Sequence, residues 1–162
     1  MQVGLIKKSL PYSSPGEVKY EFKLLYRSSR DDLDPDIFHQ KCDNISKTLV
    51  VTKVQNSDQL VGGSNPLNWN GYGIYKSTTE SFIFNISNRN DVKLVMLLII
   101  IVIMQFIVVL FFYFGFDSDI YFYSNNNYTG GIGTASSTYN NINIMYGSKF
   151  DELEVFQIID KN

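Results

Sequence analysis

Alternating apolar and polar residues predict a chain built mainly from short β-strands. Residues 19–29, KYEFKLLYRSS, show this alternation and predict a first strand. Residues 47–54, KTLVVTKV, are rich in β-branched side chains, and the turn sequence QNSD separates them from QLVGG at 59–63. Two such runs around a short polar turn predict a β-hairpin.

The remaining strands are predicted in the second half of the chain. ESFIFNIS at 80–87 alternates cleanly, and SDIYFY at 118–123 and ELEVFQII at 152–159 have strand composition. Sequences dense in Asn, Gly, Ser and Pro predict a loop at 64–73 and a polar segment at 124–141. Many short strands with few helices are typical of a β-sandwich or a barrel-like domain.

One short helix is predicted at residues 34–42, DPDIFHQKC. Asp34 stands where an N-cap belongs, and Pro35 takes the first helical position, where its missing N–H does no harm. The expected fold class is therefore mainly β with short helices (α+β).

Composition and charge narrow the function classes. The 162 residues suffice for one domain with its own core, predicted at 19–160 after a lead-in segment at 1–18. The net charge of −2 is spread along the chain and gives no reason to expect nucleic acid as a partner. Cys42 is the single cysteine, so no internal disulfide can form. The first residues lack the apolar stretch of a secretory signal, and the expected compartment is the cytoplasm.

An apolar run at 94–114 does not fit this pattern. It contains 21 residues with one polar side chain, Gln105. As a helix it would be about 31 Å long, enough to cross a bilayer. A single membrane span at 94–114 is therefore one interpretation, and a buried pair of strands is another, since Val, Ile and Phe suit strands.

Candidate catalytic and metal-binding motifs are all incomplete. DDLDPD begins like a calcium loop at Asp32, but Ile37 stands where the loop needs glycine. His39 and Cys42 share a helix face, yet no third group orients them for thiol catalysis. The stretches VGGSNP and TGGIG lack the Lys-Ser/Thr ending of a phosphate loop and are expected to form turns. We therefore expect no catalytic residue, no cofactor and no metal.

Five motifs in a distinctive order make the chain recognisable. They are LLYRSSRD (24–31), FHQKCDN (38–44), TLVVTKV (48–54), LVGGSNPLNW (60–69) and SFIFNIS (81–87). Together they closely resemble the TLDc domain, the module of oxidation-resistance proteins and of many BTB-domain proteins of fungi and protists. The closing sequences SDIYFY, SSTYNNINI and DELEVFQI agree with that pattern. The similarity covers about residues 20–159, interrupted by the apolar run.

The resemblance implies a twisted β-sandwich flanked by short helices. It implies a non-enzymatic interaction domain with a role in oxidative-stress protection. Subunits of the vacuolar proton-pumping ATPase are the best-defined partners it implies. In related fungal-type proteins the TLDc domain commonly follows BTB and BACK domains, which this sequence does not contain.

The residues that match the family pattern are expected to be mainly structural. Arg27, Arg30 and Asp31 lie where the first strand ends, so an ion pair there would hold the approach to the helix. Gly62 and Gly63 would permit either backbone angles or a close approach that a side chain would block. The full set of matching positions is Arg27, Ser29, Arg30, Asp31, Phe38, His39, Cys42, Gly62, Gly63, Asn65, Pro66, Trp69, Phe82, Phe84 and Glu154. Trp69 is expected to plug the edge of the sandwich.

Two residues depart from the family pattern. Asp32 replaces the usual Gly after SRD, and Ser64 replaces the usual Tyr after the double glycine. Asp tolerates left-handed turn geometry moderately well, so the first change is expected to cost up to about 1 kcal/mol. Loss of the Tyr would remove an anchor worth ~1–3 kcal/mol.

The family pattern adds a third interpretation of the apolar run. A span would place 1–93 and 115–162 on opposite sides of a membrane, which separates the strands of one sandwich. Back-translation of 94–109 with A/T-rich third positions, shifted by one nucleotide, gives S-x-V-I-N-N-N-S-Y-Y-A-I-Y-C. This string is close to the polar and aromatic family segment, and the codons of Met104 and Gln105 force its Ala. A local frameshift, either in the gene annotation or as a real lesion that gives a defective product, is therefore a hypothesis beside the other two.

Overall fold

A computed structural model describes the chain in seven stretches. They are residues 20–71, 74–87, 105–110, 113–116, 120–123, 131–133 and 148–161. Within these stretches the chain forms ten strands and two short helices. The mainly β class with short helices is confirmed.

The strands and helices follow one another with short connections where the chain is described. The strands are β1 (Tyr20–Arg27), β2 (Thr48–Val54), β3 (Leu60–Asn65), β4 (Ile74–Thr78), β5 (Phe82–Ile86), β6 (Gln105–Leu110), β7 (Tyr113–Phe116), β8 (Ile120–Tyr123), β9 (Gly131–Gly133) and β10 (Ser148–Asp160). The helices are α1 (Ser28–Asp31) and α2 (Pro35–Cys42).

All pairings between the described strands are antiparallel, in the order β4-β6-β7-β8-β9-β10-β2-β3-β5. The long strand β10 joins the two groups, because it pairs with β9 at its start and with β2 further along. Its last residues also pair with β1, from Tyr20 opposite Asp160 to Arg27 opposite Glu154. This register brings the end of β1 to the middle of β10.

Most predicted strands are confirmed, with corrected ends. The strand predicted through residue 29 stops at Arg27, because Ser28 and Ser29 bind a carboxylate of β10 and begin α1. The hairpin of β2 and β3 is confirmed, but β3 continues into the predicted loop through Asn65. Strand β4 follows that loop and was not predicted. Strand β9 lies inside the polar segment at 124–141.

Helix α2 begins as its sequence predicts. Asp34 Oδ1 accepts a hydrogen bond from Asp36 N at 2.8 Å, and Pro35 is the first helical residue. The carboxylate satisfies one of the free N–H groups that every helix start exposes.

The described part of the apolar run is strand. Gln105–Leu110 and Tyr113–Phe116 pair with each other, and the first of them also pairs with β4. Among the described residues, no helix is long and apolar enough to cross a membrane. The strand pairing expected by the core-strand interpretation therefore agrees with this described part of the run, and a single helix through 94–114 does not. Residues 94–104 and 111–112 lie outside the described ranges.

Aromatic side chains pack α2 against the sheet. Phe38 meets Tyr26 of β1 and Trp69 edge-on, with ring centroids 5.8 Å and 5.4 Å apart. Trp69 is fully buried, and its Nε1 donates to Thr48 Oγ1 of β2 at 2.9 Å. Phe122 of β8 belongs to the same buried cluster. The hydroxyl partner satisfies the polar nitrogen of Trp69, and its expected role as a plug at the edge of a sandwich remains a prediction.

Candidate functional site

The family-motif charges gather at one corner of the sheet, where β1 turns into α1 beside β10. We name this group the charged corner, and define it by residues 27–31 together with Lys41, Glu152 and Glu154. Of its members, Arg27, Ser29, Arg30, Asp31 and Glu154 are predicted from sequence. The structure adds Ser28, Lys41 and Glu152.

Arg27 and Glu154 form the buried ion pair of the charged corner. Arg27 Nε donates to Glu154 Oε1 at 2.7 Å, and Arg27 Nη2 lies 2.6 Å from the same oxygen. The Glu154 side chain is 1% exposed and that of Arg27 is 14% exposed. Strand register explains the contact, because the two residues stand opposite each other in the β1–β10 pair. A carboxylate this deeply buried needs such a charge-assisted partner.

Glu152 clamps α1 onto β10. Its Oε1 accepts from Ser28 Oγ at 2.7 Å and from Ser29 N at 3.0 Å, and its Oε2 accepts from Ser29 Oγ at 2.6 Å. Ser28 Oγ in turn accepts from Leu153 N at 3.0 Å. The spacing DELE could have indicated Glu152, since residues two apart on a strand point to the same face as each other.

Asp31 is the hub of the charged corner. Its carboxylate accepts from Arg30 Nε at 2.8 Å and Nη2 at 2.6 Å, and from Arg27 N at 2.9 Å. Lys41 Nζ lies 3.3 Å from Asp31 Oδ1. The hydrogen bond from Arg30, followed by those from Arg27 N and Lys41, lowers the pKa of Asp31 to about 2. The ion pair expected among Arg27, Arg30 and Asp31 is thus formed by Arg30 and Asp31. Arg27 instead pairs with Glu154.

Asp32 adopts a backbone conformation that favours glycine. Its φ of 63° is accompanied by a ψ of 155°, outside the left-handed region that Asp tolerates. The expectation of left-handed geometry at Asp32 is therefore corrected, and the strain is larger than expected. Tyr26 Oη donates to the Asp32 carbonyl oxygen at 2.7 Å and holds this turn. Burial first, then Asp31, raises the pKa of Tyr26 and keeps the phenol protonated.

His39 and Cys42 are brought to the core side of α2. His39 Nδ1 lies 2.6 Å from Asp43 Oδ1, and the His39 ring packs edge-on against Phe38. Cys42 is fully buried, and burial raises the pKa of its thiol to about 12. A thiol with such a pKa supplies almost no thiolate near neutral pH, so Cys42 is unsuited to be a nucleophile.

The glycine and aromatic positions of β3 and β5 are structural. A Cβ built on Gly62 would overlap the carbonyl oxygen of Val50 and lie 2.8 Å from Phe84 Cζ. Phe84 stands opposite Gly62, so its ring takes the space above the glycine, and Gly63 pairs with Ile83. Of the two roles expected for this double glycine, close approach is the one found at Gly62. The interpretation of VGGSNP as a turn is wrong for Gly62 and Gly63, which lie inside β3.

The end of β3 is fixed by polar contacts. Asn65 is fully buried, and its Oδ1 accepts from Leu67 N at 2.8 Å. The carbonyl oxygen of Pro66 accepts from Lys47 N at 3.2 Å. Phe82 pairs with Ser64, which is 8% exposed where the family pattern has Tyr.

Acidic residues of DDLDPD take part in helix capping and ion pairing. Among the residues that the structure describes, no group of three or more His, Cys, Asp or Glu side chains could hold a metal ion. Asp34, in the sequence that resembles a calcium loop, is the N-cap of α2. Asp31, which precedes that loop, is bound by Arg30. The charged corner instead consists of groups that satisfy one another.

Comparison with known proteins agrees with this architecture. A search of curated proteins gave no match. A scan against protein-family models matches the TLDc domain over residues 2–159, including the charged corner and the apolar run. The match begins before residue 19, and the predicted division into a lead-in segment and a domain remains a prediction. From the extent of this match, the chain belongs to the TLDc domain family.

Proposed function

We propose that this chain is a non-enzymatic TLDc interaction domain that acts in the cytoplasm in oxidative-stress protection. We propose further that it binds subunits of the vacuolar proton-pumping ATPase. TLDc domains are generally linked to oxidative-stress resistance and generally serve as non-catalytic interaction domains. The match over residues 2–159 is the observation that carries the proposal.

The internal pairing in the charged corner supports a binding role over a catalytic one. Arg27 and Glu154 bind each other, and Asp31 is bound by Arg30 and Lys41. Catalytic acids and bases usually face a cleft with a pKa shifted toward the working pH. The pKa of Asp31 is shifted the other way, to about 2, which keeps it a permanent anion.

Polar groups on the outer side of the charged corner are the proposed contacts for a partner. Ser29 and Arg30 are exposed there, as is the neighbouring Asp32, and the Arg30 side chain is 46% exposed. Arg30 uses Nε and Nη2 to bind Asp31 and Leu25, and its Nη1 is the charged donor proposed for a carboxylate of another protein. The Arg27–Glu154 pair fixes the end of β1 against β10 beneath these groups, so a partner would meet them at a defined place on the sheet.

Binding to vacuolar membranes tests the proposal directly. The purified chain is mixed with vesicles that carry the assembled proton pump, and co-sedimentation and ATP-driven acidification are measured with and without it. We expect saturable binding that Arg30→Ala weakens and Lys23→Ala does not, since Lys23 is exposed on β1 away from the charged corner. Equal sedimentation with vesicles stripped of the pump would overturn this partner assignment.

A test in cells separates the two parts of the proposal. The chain is expressed in cells that lack their own TLDc protein, and survival after peroxide is measured. Protection without pump binding would retain the stress role and remove the partner. Loss of both would overturn the proposed function.

A further inference from the structure

Ser29 is the exposed half of the clamp between α1 and β10. Its hydroxyl donates to Glu152 Oε2 at 2.6 Å, and its backbone N–H donates to the other oxygen of that carboxylate at 3.0 Å. Helix α1 is one turn long and contributes no buried residue. A segment with so little buried surface opens locally at low cost.

The sequence after Ser29 is acidic. Asp31, Asp32, Asp34 and Asp36 stand two, three, five and seven positions beyond it. Of these, the last three are exposed. Protein kinases choose their substrates partly through such charge patterns around the target hydroxyl. A kinase with a basic substrate groove would find both an accessible hydroxyl and the charges it selects.

We propose that Ser29 is a phosphorylation site for a protein kinase that selects acidic residues after the serine, and that the phosphate releases α1 from β10. In the transfer, the γ-phosphoryl group of ATP forms a bond to Ser29 Oγ, ADP leaves, and the hydroxyl proton is lost to the kinase. The proposed modification regulates the charged corner, and in that sense it rests on the proposed function.

The contact with Glu152 explains why the phosphate would release the helix. Phosphorylation removes the O–H that donates to Glu152 Oε2 and places a charge of about −1.5 to −2 beside that carboxylate. The cation nearest in sequence is Arg30, which is bonded to Asp31 and to the carbonyl oxygen of Leu25. If Arg30 turns to the phosphate, Asp31 loses its main partner and the corner loosens further.

Phosphorylation in vitro tests the assignment of the site. The purified chain is incubated with ATP and an acid-directed serine/threonine kinase, and phosphopeptides are mapped by mass spectrometry. We expect one phosphate at Ser29, lost in Ser29→Ala and reduced several-fold in Asp32→Asn. Ser28→Ala should retain it. Phosphate at other serines only, or none at all, would overturn the proposal.

A charge cycle tests the release of α1 without any kinase or partner. Ser29→Asp should lower the melting temperature by several degrees more than Ser29→Asn, since the two side chains have nearly the same size. In a Glu152→Gln background this difference should shrink by at least half. If it persists there unchanged, repulsion from Glu152 is not the cause and the release mechanism fails. Neither the phosphorylation assay nor the charge cycle involves the proton pump. Both therefore test the Ser29 proposal even if the chain does not bind the pump.

Discussion

Arg27 Nε donates to Glu154 Oε1 at 2.7 Å and thereby joins two residues 127 positions apart in the sequence. The pair holds the end of β1 against β10 at the point where α1 begins. Because Glu154 is almost fully buried, the guanidinium is also the counter-charge that makes its burial tolerable. This pair and the contacts of Glu152 with Ser28 and Ser29 together fix the position of the charged corner.

Removing either partner of this ion pair should destabilise the fold strongly. We expect Arg27→Met to lower the free energy of unfolding by about 3–5 kcal/mol, because it leaves the Glu154 carboxylate buried without its counter-charge. Urea unfolding followed by circular dichroism measures the change. The double variant Arg27→Met/Glu154→Gln should lose clearly less than the sum of its single variants. Additive losses would show that the two side chains act independently.

Glycine at position 32 should stabilise the protein. The φ of 63° and ψ of 155° at Asp32 belong to a region that only glycine occupies without strain. We expect Asp32→Gly to raise the free energy of unfolding by ~1–3 kcal/mol, measured by thermal and urea unfolding. The matched control is Asp36→Gly in the first turn of α2, which should lower stability by about 1 kcal/mol. Equal changes in the free energy of unfolding for Asp32→Gly and Asp36→Gly would contradict backbone strain at position 32.

Any side chain at Gly62 should disrupt the contact between β2 and β3. A Cβ there would overlap the Val50 carbonyl oxygen, which belongs to the paired backbone and cannot move freely. We expect Gly62→Ala to cost ~3 kcal/mol, at the upper end for overpacked sites. Ser64→Ala, two residues along the same strand, is the control and should cost much less. A Gly62→Ala protein with the melting temperature of the unchanged chain would contradict this geometry.

Local features of the fold were predictable because their causes are local. Asp34 and Pro35 specify the start of α2 through a cap and a fixed φ, and both lie next to each other in sequence. The β-branched run of β2 and the polar turn after it likewise indicate their hairpin directly. The double glycine indicated a position that excludes side chains, but the sequence did not decide between special backbone angles and a close approach.

Features that depend on distant residues were not predictable. Helix α1 exists because Ser28 and Ser29 reach Glu152, more than a hundred positions away, and nothing near them in sequence marks the end of β1. In the apolar run, periodicity cannot separate a buried strand from a buried helix. The pairing of β6 with β4 and β7 decides for strand at 105–110. The frameshift remains a prediction, which the transcript sequence across 94–109 tests.

Acid should weaken the charged corner through Asp31. Its pKa is lowered to about 2 in the folded chain, mainly by the hydrogen bond from Arg30, against ~3.9 in an unfolded chain. A lowered folded pKa contributes stability that is present above the unfolded value and is lost as pH falls through about 2. The urea midpoint of the unchanged chain should therefore fall between pH 5 and pH 2. The midpoint of Asp31→Asn should fall less steeply over the same range. Arg30→Gln should also flatten the slope, and identical slopes in all three proteins would contradict the coupling.

Cys42 should react with thiol reagents only when the chain unfolds. It is fully buried in the core cluster, and its thiol pKa of about 12 leaves almost no thiolate at pH 8. We expect a disulfide reagent to modify the native chain at least a hundred-fold more slowly than the chain in urea. Cys42→Ala should lower stability yet retain whatever protection against peroxide the cells show once expression is matched. Rapid labelling of the native chain, or loss of protection at equal protein level, would return Cys42 to consideration as a redox-active residue.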